Sequence, residues 1–401
     1  MEPQRIPGTA RVVSVRQNDL TARARAAADA ARTYASAVDA EARFPSEAFA
    51  EIRKQRLLGI QVPQALGGEA ASIAEIADVC YILGQACSST ALIYAMHQIK
   101  MACITRHAKG SAAIERILSR IAAEQLLMAS STTEGQAGGN VRSSEAAVER
   151  DGGHVTLERK ATVISYAVEA DGVVTTARRA ADAAGSDQVL LVLLKSDYTL
   201  ERLQVWDTLG MRGTHSEGFT LRARASAEQI MPEPYDRIHA QTMVPFAHLL
   251  WGSVWAGIAA AAAGKAQAFI RHAVRGSNGQ MPPGAAHFTQ AVSSLRTMRG
   301  VLAANLHSYQ SIMSDEKAIS SLEFQALITL TKVQVSELAV TTVLSSLRAC
   351  GLSGYRNDTE FTIGRLLRDV LSAPLMINND RILTNLATTS LMTPLPTSIS
   401  G

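Results

Sequence analysis

SAAIERILSRIAAEQLLMASSTTEGQAGGN, residues 111–140, is where the texture of this sequence changes. Up to about Arg120 it reads as helix. From about Leu126 onward Gly, Ser and Thr become dense, which suits turns and exposed strands rather than helix. Downstream, His154-Val155-Thr156-Leu157 and the run from Val189 to Leu194 read as strands, and Asp151-Gly152 is a turn signal beside the first of them. The β texture stops at Met231-Pro232-Glu233-Pro234, where two prolines mark a boundary.

Outward from this segment both flanks are helical. Upstream, Asn18 to Ala42 is Ala-rich. Ser46 is positioned to cap a helix whose face carries Phe49 and Ile52, and Leu57-Leu58-Gly59 ends it. Pro63 and Gly67-Gly68 break the chain. One long helical stretch is expected from Ile73 to about His107, with Ile76, Val79, Ile82, Leu83, Leu92, Ile93 and Met96 at helical spacing. Downstream, helix resumes near Ile238. Gly257 to Gly264 is nearly all alanine and suits close helix–helix approach. Further helices are expected from Thr289 to Met313, Leu322 to Ala349 and Thr359 to Leu371. The fold class is therefore mainly α with a small β domain: an N-terminal helical domain (1–125), a middle β domain (126–235) and a C-terminal helical bundle (236–401).

Composition narrows the function. Hydrophobic residues make up 47% of the 401, enough for a large core, so the chain is not disordered. A net charge of +3 without a basic cluster argues against nucleic acid. Cys80, Cys87, Cys103 and Cys350 form no CxxC pair and read as buried reduced thiols, and no metal site is expected. The first residues lack the apolar core of a signal peptide, and Leu249 to Gly264 is short for a membrane span, so a cytoplasmic protein is expected.

Several motifs, in order, resemble those of the acyl-CoA dehydrogenase superfamily of flavoproteins. Phe44-Pro45-Ser46-Glu47, Leu57 to Pro63 and Leu66-Gly67-Gly68 look like its N-terminal signatures. Thr132 to Asn140 is similar to its T-E-P-x-A-G-S-D loop, and Leu209 to Thr214 to its MG-x-R-G-S segment. Gly351-Leu352-Ser353-Gly354-Tyr355 and Arg368-Asp369 look like its GG-x-G-Y and YRDA signatures. The resemblance covers most of the chain. It implies a middle β-barrel, a C-terminal four-helix bundle, a homo-oligomer (dimer or tetramer) and FAD, with FMN as the alternative if the chain is a monooxygenase.

The same resemblance assigns residues. Thr133, with Gly138 and Gly139, belongs to the cofactor loop, and Ser165 keeps the hydroxyl that meets flavin N5. Val163 stands where the family has a Trp. Arg348 and Gly351 correspond to positions that complete the cofactor site of a neighbouring subunit. Arg212 reads either as a ligand contact or as a structural ion pair.

The family's base does not appear. α,β-Dehydrogenation of an acyl thioester needs a carboxylate to remove a weakly acidic α-proton. Counting from Arg368 leads to Ile377, and the alternative helical position leads to Ala247; neither is Glu. Asp380, nearly one helical turn beyond Ile377, reads either as a substitute base or as the first-turn acid of a helix capped by Asn378 or Asn379. His248 reads either as a base or as a core histidine. Three functions follow: an FAD-dependent acyl-thioester dehydrogenase with a non-standard base, a flavin-dependent monooxygenase using reduced flavin and O2, and a non-enzymatic binding protein. The first is the leading expectation, with an electron-transfer or flavin-reductase partner.

Overall fold

The computed structural model describes residues 7–134, 143–392 and Ser398. The N-terminal part holds α1 (Pro7–Ala40), α2 (Ser46–Lys54), α3 (Ile73–Gly84), α4 (Ser88–His107) and α5 (Ala112–Glu124). The expected single helix from Ile73 to His107 is two, parted at Gln85–Cys87. The Leu83 carbonyl closes α3 by accepting the Ala86 and Cys87 N–H groups, and Cys87, in extended conformation, starts α4. Gly84 lies where α3 touches a neighbouring helix, a Cβ there falling 2.6 Å from the Val254 carbonyl oxygen. Ser46 begins α2 rather than capping it, because Pro45 occupies the cap. Ser72 and Glu75 form a reciprocal capping box at the start of α3.

The middle part holds β1 (Met128–Ser131), β2 (Glu149–Asp151), β3 (His154–Ser165), β4 (Gly172–Arg178), β5 (Gln188–Leu194), β6 (Tyr198–Gln204) and β7 (Ser216–Ser226). They build two sheets, in the orders β1-β4-β5 and β2-β3-β7-β6. Asp151-Gly152 makes the turn between β2 and β3, with Gly152 at φ +58°. β5 is an unbroken apolar run because both its faces are covered, and Leu190 to Leu193 are fully buried.

The C-terminal part begins with α6 (Tyr235–Ile238), passes through a π-helical turn (His239–Met243) and runs on as α7 (Val244–Gly276). Pro245 explains the wide turn. It has no N–H to give to the Gln241 carbonyl, and that carbonyl instead accepts from the Tyr309 hydroxyl at 2.8 Å. α8 (Ala285–Ile312), α9 (Glu316–Ile319) and α10 (Leu322–Cys350) follow, and α7, α8 and α10 pack on one another. α11 (Leu352–Tyr355), α12 (Gly364–Val370), α13 (Ser372–Leu375) and α14 (Asn379–Met392) complete the bundle along α10.

α7 is the central column. It contacts α3, α4, α8 and α10, and its alanines Ala256, Ala259, Ala262 and Ala266 are buried. Gly257 meets α3 so closely that a Cβ there would sit 2.5 Å from the Tyr81 carbonyl oxygen. Tyr235–Gly276 and Leu322–Cys350 are each long and apolar enough to cross a membrane, but here they form the bundle interior; 83% of the first one's most apolar window is buried. All four cysteines are buried with free thiols.

Candidate active site

A cavity of about 460 Å³ lies where α4, α7, the β sheets and the α13–α14 connection meet. That volume is in the range of small-molecule sites. One wall is β structure. Ser130 and Thr132, two apart on and just past β1, both face the cavity, as strand alternation dictates. β3 carries a bulge between Ala161 and Ile164, and Val163 within it and Ser165 beyond it both reach the cavity.

Three hydroxyls on this wall form a directed chain. Thr214 Oγ1 donates to the Met211 carbonyl at 2.9 Å. Its proton being used, Ser216 Oγ donates to Thr214 Oγ1 at 2.8 Å. Ser165 Oγ must then donate to Ser216 Oγ, also at 2.8 Å. Ser165 is left with lone pairs toward the cavity, an acceptor for a ligand N–H.

Thr133 also lines the cavity. Its position is held from behind by Glu134, which pairs with the fully buried Arg159 at 3.1 Å and accepts from the Ser144 hydroxyl at 2.9 Å. The ion pair ties Glu134 to β3, and the Ser144 bond ties it to the chain on the other side of residues 135–142. Gly138 and Gly139 lie outside the described residues.

The other wall is helical and apolar. Leu92, Met96, Ile99 and Lys100 project from one face of α4, while Met243, Ala247 and Trp251 do so at four-residue steps around α7. The π turn sets the orientation of Met243, whose sulfur accepts from the Tyr235 hydroxyl at 3.0 Å. Trp206, on the β6–β7 connection, is fixed by its Nε1 donating to the Met211 carbonyl at 3.1 Å. The Trp251 Nε1 is buried with no partner among the described residues.

The third side is the α13–α14 connection. Ile377 and Asn378 line it, and Ile377 sits at φ +45°, an unusual conformation for a β-branched residue. A buried lysine holds that turn: Lys332 Nζ donates to the Ile377 carbonyl at 3.1 Å and to Asn379 Oδ1 at 2.7 Å. Burial lowers the Lys332 ammonium to about 8.

The β6–β7 connection is tied to the rest of the molecule by the Arg368-Asp369 pair. Asp369, buried, accepts from the Met211 N–H at 2.7 Å, and burial raises its carboxyl. Arg368 donates to the Leu209 carbonyl at 2.9 Å and pairs with Asp39 of α1. Gly210 is required beneath it, since a Cβ would lie 2.2 Å from the Arg368 carbonyl oxygen.

The structure brings Thr133 and Ser165 to the cavity and sorts the other expected residues differently. Arg212 does not line it; its Nε donates to the Asp39 carbonyl at 2.8 Å, so it is a strut between the β region and α1. Asp380 is exposed in the first turn of α14, where Asn378 caps the helix by accepting from the Arg381 N–H at 3.1 Å, and it is therefore not placed as a base. His248 is buried behind Ala247, donates Nδ1–H to the Ile328 carbonyl at 3.1 Å, and is held down to about 4 by burial. It is a neutral core histidine and does not line the cavity. Arg348 and Gly351 lie at the exposed end of α10, away from the cavity of their own chain; Gly351, at φ +54°, makes the turn that ends the helix.

Ile377 and Ala247, the two positions to which the carboxylate count leads, both line the cavity. Among the described residues no Asp, Glu or His does so. Lys100, Trp206, Trp251 and Ser216 enter the site without having been singled out in the sequence.

A helical–β–helical chain closed around one apolar cavity with a hydroxyl-lined wall defines a class, the acyl-CoA dehydrogenase fold. Residues 15–125 match the family model described as acyl-CoA dehydrogenase, N-terminal domain, and the solved structures below share the fold over nearly the whole chain. The FMN-bound TdsC of Paenibacillus sp. A11-2, a dibenzothiophene monooxygenase, superposes with a TM-score of 0.82 at 16% identity, over 94% of this chain and 98% of that one. The nitrososynthase of Micromonospora carbonacea var. africana superposes at 0.80 with 21% identity, over 94% and 97%. The methanesulfinate monooxygenase MsuC of Pseudomonas fluorescens does so at 0.80 with 17% identity, over 94% and 97%. No curated protein matches by sequence.

Proposed function

We propose that the protein is a flavin-dependent monooxygenase acting on a small substrate with an apolar body, rather than an acyl-thioester dehydrogenase. One observation carries the reading. Both cavity positions at which a dehydrogenase base is expected hold alkyl side chains, Ile377 and Ala247. Abstraction of an α-proton next to a thioester requires a positioned base, whereas oxygen transfer does not. The similar solved structures support it, since TdsC and MsuC are named as monooxygenases.

The residues present fit a flavin. The cavity has the breadth for a ring system beside a small substrate, and its β wall offers Thr133 and the Ser165 chain to polar ring edges. Reduced flavin, when bound, supplies the electrons that activate dioxygen. The chain's own residues do the rest. Ser165 accepts an N–H at the ring, the Ser216–Thr214–Met211 relay fixes the Ser165 hydroxyl, and the apolar face of α4 with Trp251 excludes water. FMN or FAD arrives reduced from a separate reductase. Arg348 and Gly351 serve a neighbouring copy in a homo-oligomer.

The test mixes the protein and chemically reduced FMN with isotopically heavy dioxygen and a panel of aromatic acids, phenols, amines and thioethers. Products carrying one heavy oxygen atom are expected. Anaerobic bleaching of protein-bound oxidised flavin by saturated acyl-CoAs, with no added reductant, would overturn the reading in favour of dehydrogenation.

A further inference from the structure

Lys100 is the one charged group among the described residues lining the cavity. Its residue is 2% exposed, yet the partner of its Nζ is the Met243 sulfur at 3.6 Å, a weak acceptor. Its charged neighbours do not help. Arg159 is a cation already engaged by Glu134, and Cys103, one turn along α4, is held by burial as a thiol, with its pKa pushed up to about 11. Burial lowers the Lys100 ammonium only to about 8, so it remains charged near neutral pH. A buried ammonium without a counter-ion is costly, and a ligand anion is what relieves it. Around it the α4 and α7 faces offer Leu92, Met96, Ile99 and Trp251, all apolar or aromatic.

We propose that Lys100 is the anchor for the anionic group of the substrate, and that the substrate class is a compact organic acid, an apolar or aromatic body carrying one carboxylate. The acid docks against the helical wall, head on Lys100 and body across α4 and α7, while the hydroxyls of the β wall face it from the other side. This deepens the monooxygenase reading by naming its substrate class. The flavin itself, by its ring or its phosphate, is the other source of negative charge.

Calorimetric titration of the flavin-free protein with naphthoate and with naphthamide, its neutral isostere, tests the assignment. Naphthoate is expected to bind at least about tenfold more tightly, roughly the weight of one charge-assisted contact. Lys100→Met, which keeps the length and removes the charge, is expected to bring the two within about twofold, and Lys100→Arg to retain the preference. Equal affinities in the unaltered protein, or a preference that survives Lys100→Met, overturn the proposal. The equal-affinity outcome does so even if Lys100→Met fails to fold. FMN, oxidised and anaerobically reduced, is titrated in parallel. If Lys100→Met weakens FMN tenfold and leaves the naphthoate preference intact, the anion is the flavin's and the proposal falls. If no form binds FMN while the naphthoate preference persists and depends on Lys100, the anion site stands and the flavin reading falls.

Discussion

Ser165 and Asp380 are the instructive pair at the scale of single residues. Both were singled out because they are polar side chains near signature motifs, and the structure separates them. Ser165 sits at the head of a hydroxyl chain on the cavity wall. Asp380 is an exposed first-turn acid, favourable there through the helix dipole. Ser165→Ala is expected to weaken flavin binding by about tenfold, about 1.4 kcal/mol, the value of one hydrogen bond to a ligand. Asp380→Asn is expected to leave kcat/KM within about twofold. Anaerobic titration of reduced FMN, whose N5 carries the N–H that Ser165 accepts, and steady-state rates check the two together, and a loss of turnover in Asp380→Asn would restore it as a base. Lys100 had a signal that went unread: from Ser88 to Thr105 it is the only Lys, Arg, Asp or Glu, and a lone charge within an apolar helix is rarely buried without a partner.

At the scale of elements, the glycine-to-glycine crossing of α3 and α7 and the π turn before α7 set the site. Gly84 and Gly257 let the two helices touch, which seats α7 and therefore Ala247 and Trp251. Gly257→Leu would drive a side chain into the Tyr81 carbonyl region, which is backbone and cannot step aside. A loss of roughly 2–4 kcal/mol is expected, or failure to fold, read by denaturant unfolding. Gly264→Leu, with open space around its Cβ, serves as the control and should cost little. The alanine run made close approach legible in the sequence. The π turn was not legible, because it depends on Pro245 losing one bond and on Tyr309, from α8, supplying another.

For the whole molecule, buried neutral histidines join the parts. His97 donates Nε2–H to the Leu58 carbonyl at 2.8 Å and accepts the Met128 N–H on Nδ1 at 3.0 Å, linking α4, the turn after α2 and β1. His107 donates Nδ1–H to Glu233 at 3.0 Å and accepts the Thr242 hydroxyl at 2.8 Å, linking α4 to the π turn. Burial holds His97, His107 and His248 down to about 4 each. Unfolded, they titrate near 6.5, so between these values the unfolded chain binds more protons than the folded one. Stability is therefore full above about pH 6.5 and falls as pH drops toward about 4, by on the order of 2–3 kcal/mol for each of the fully buried His97 and His248. Thermal melts from pH 7 to 4 should show this fall, and His248→Gln should flatten it. An unchanged melting temperature across that range would contradict the assignment.

The sequence by itself determined the order of helical, β and helical parts, the close-packing alanine column, the places of Thr133 and Ser165, and the absence of a carboxylate at Ile377 and Ala247. The first two are carried by periodicity and turn residues; the last two rest on the resemblance of nearby motifs to those of the acyl-CoA dehydrogenase superfamily. The tertiary structure alone decided what those places face. It turned Arg212 and His248 into structural groups, put Asp380 in solvent, and gathered Lys100 from α4, Trp251 from α7 and Ser216 from β7 around one cavity. The reason is physical. Burial and partner choice depend on contacts between residues far apart in the chain, and a side chain's charge state and role follow from those contacts rather than from its neighbours in sequence.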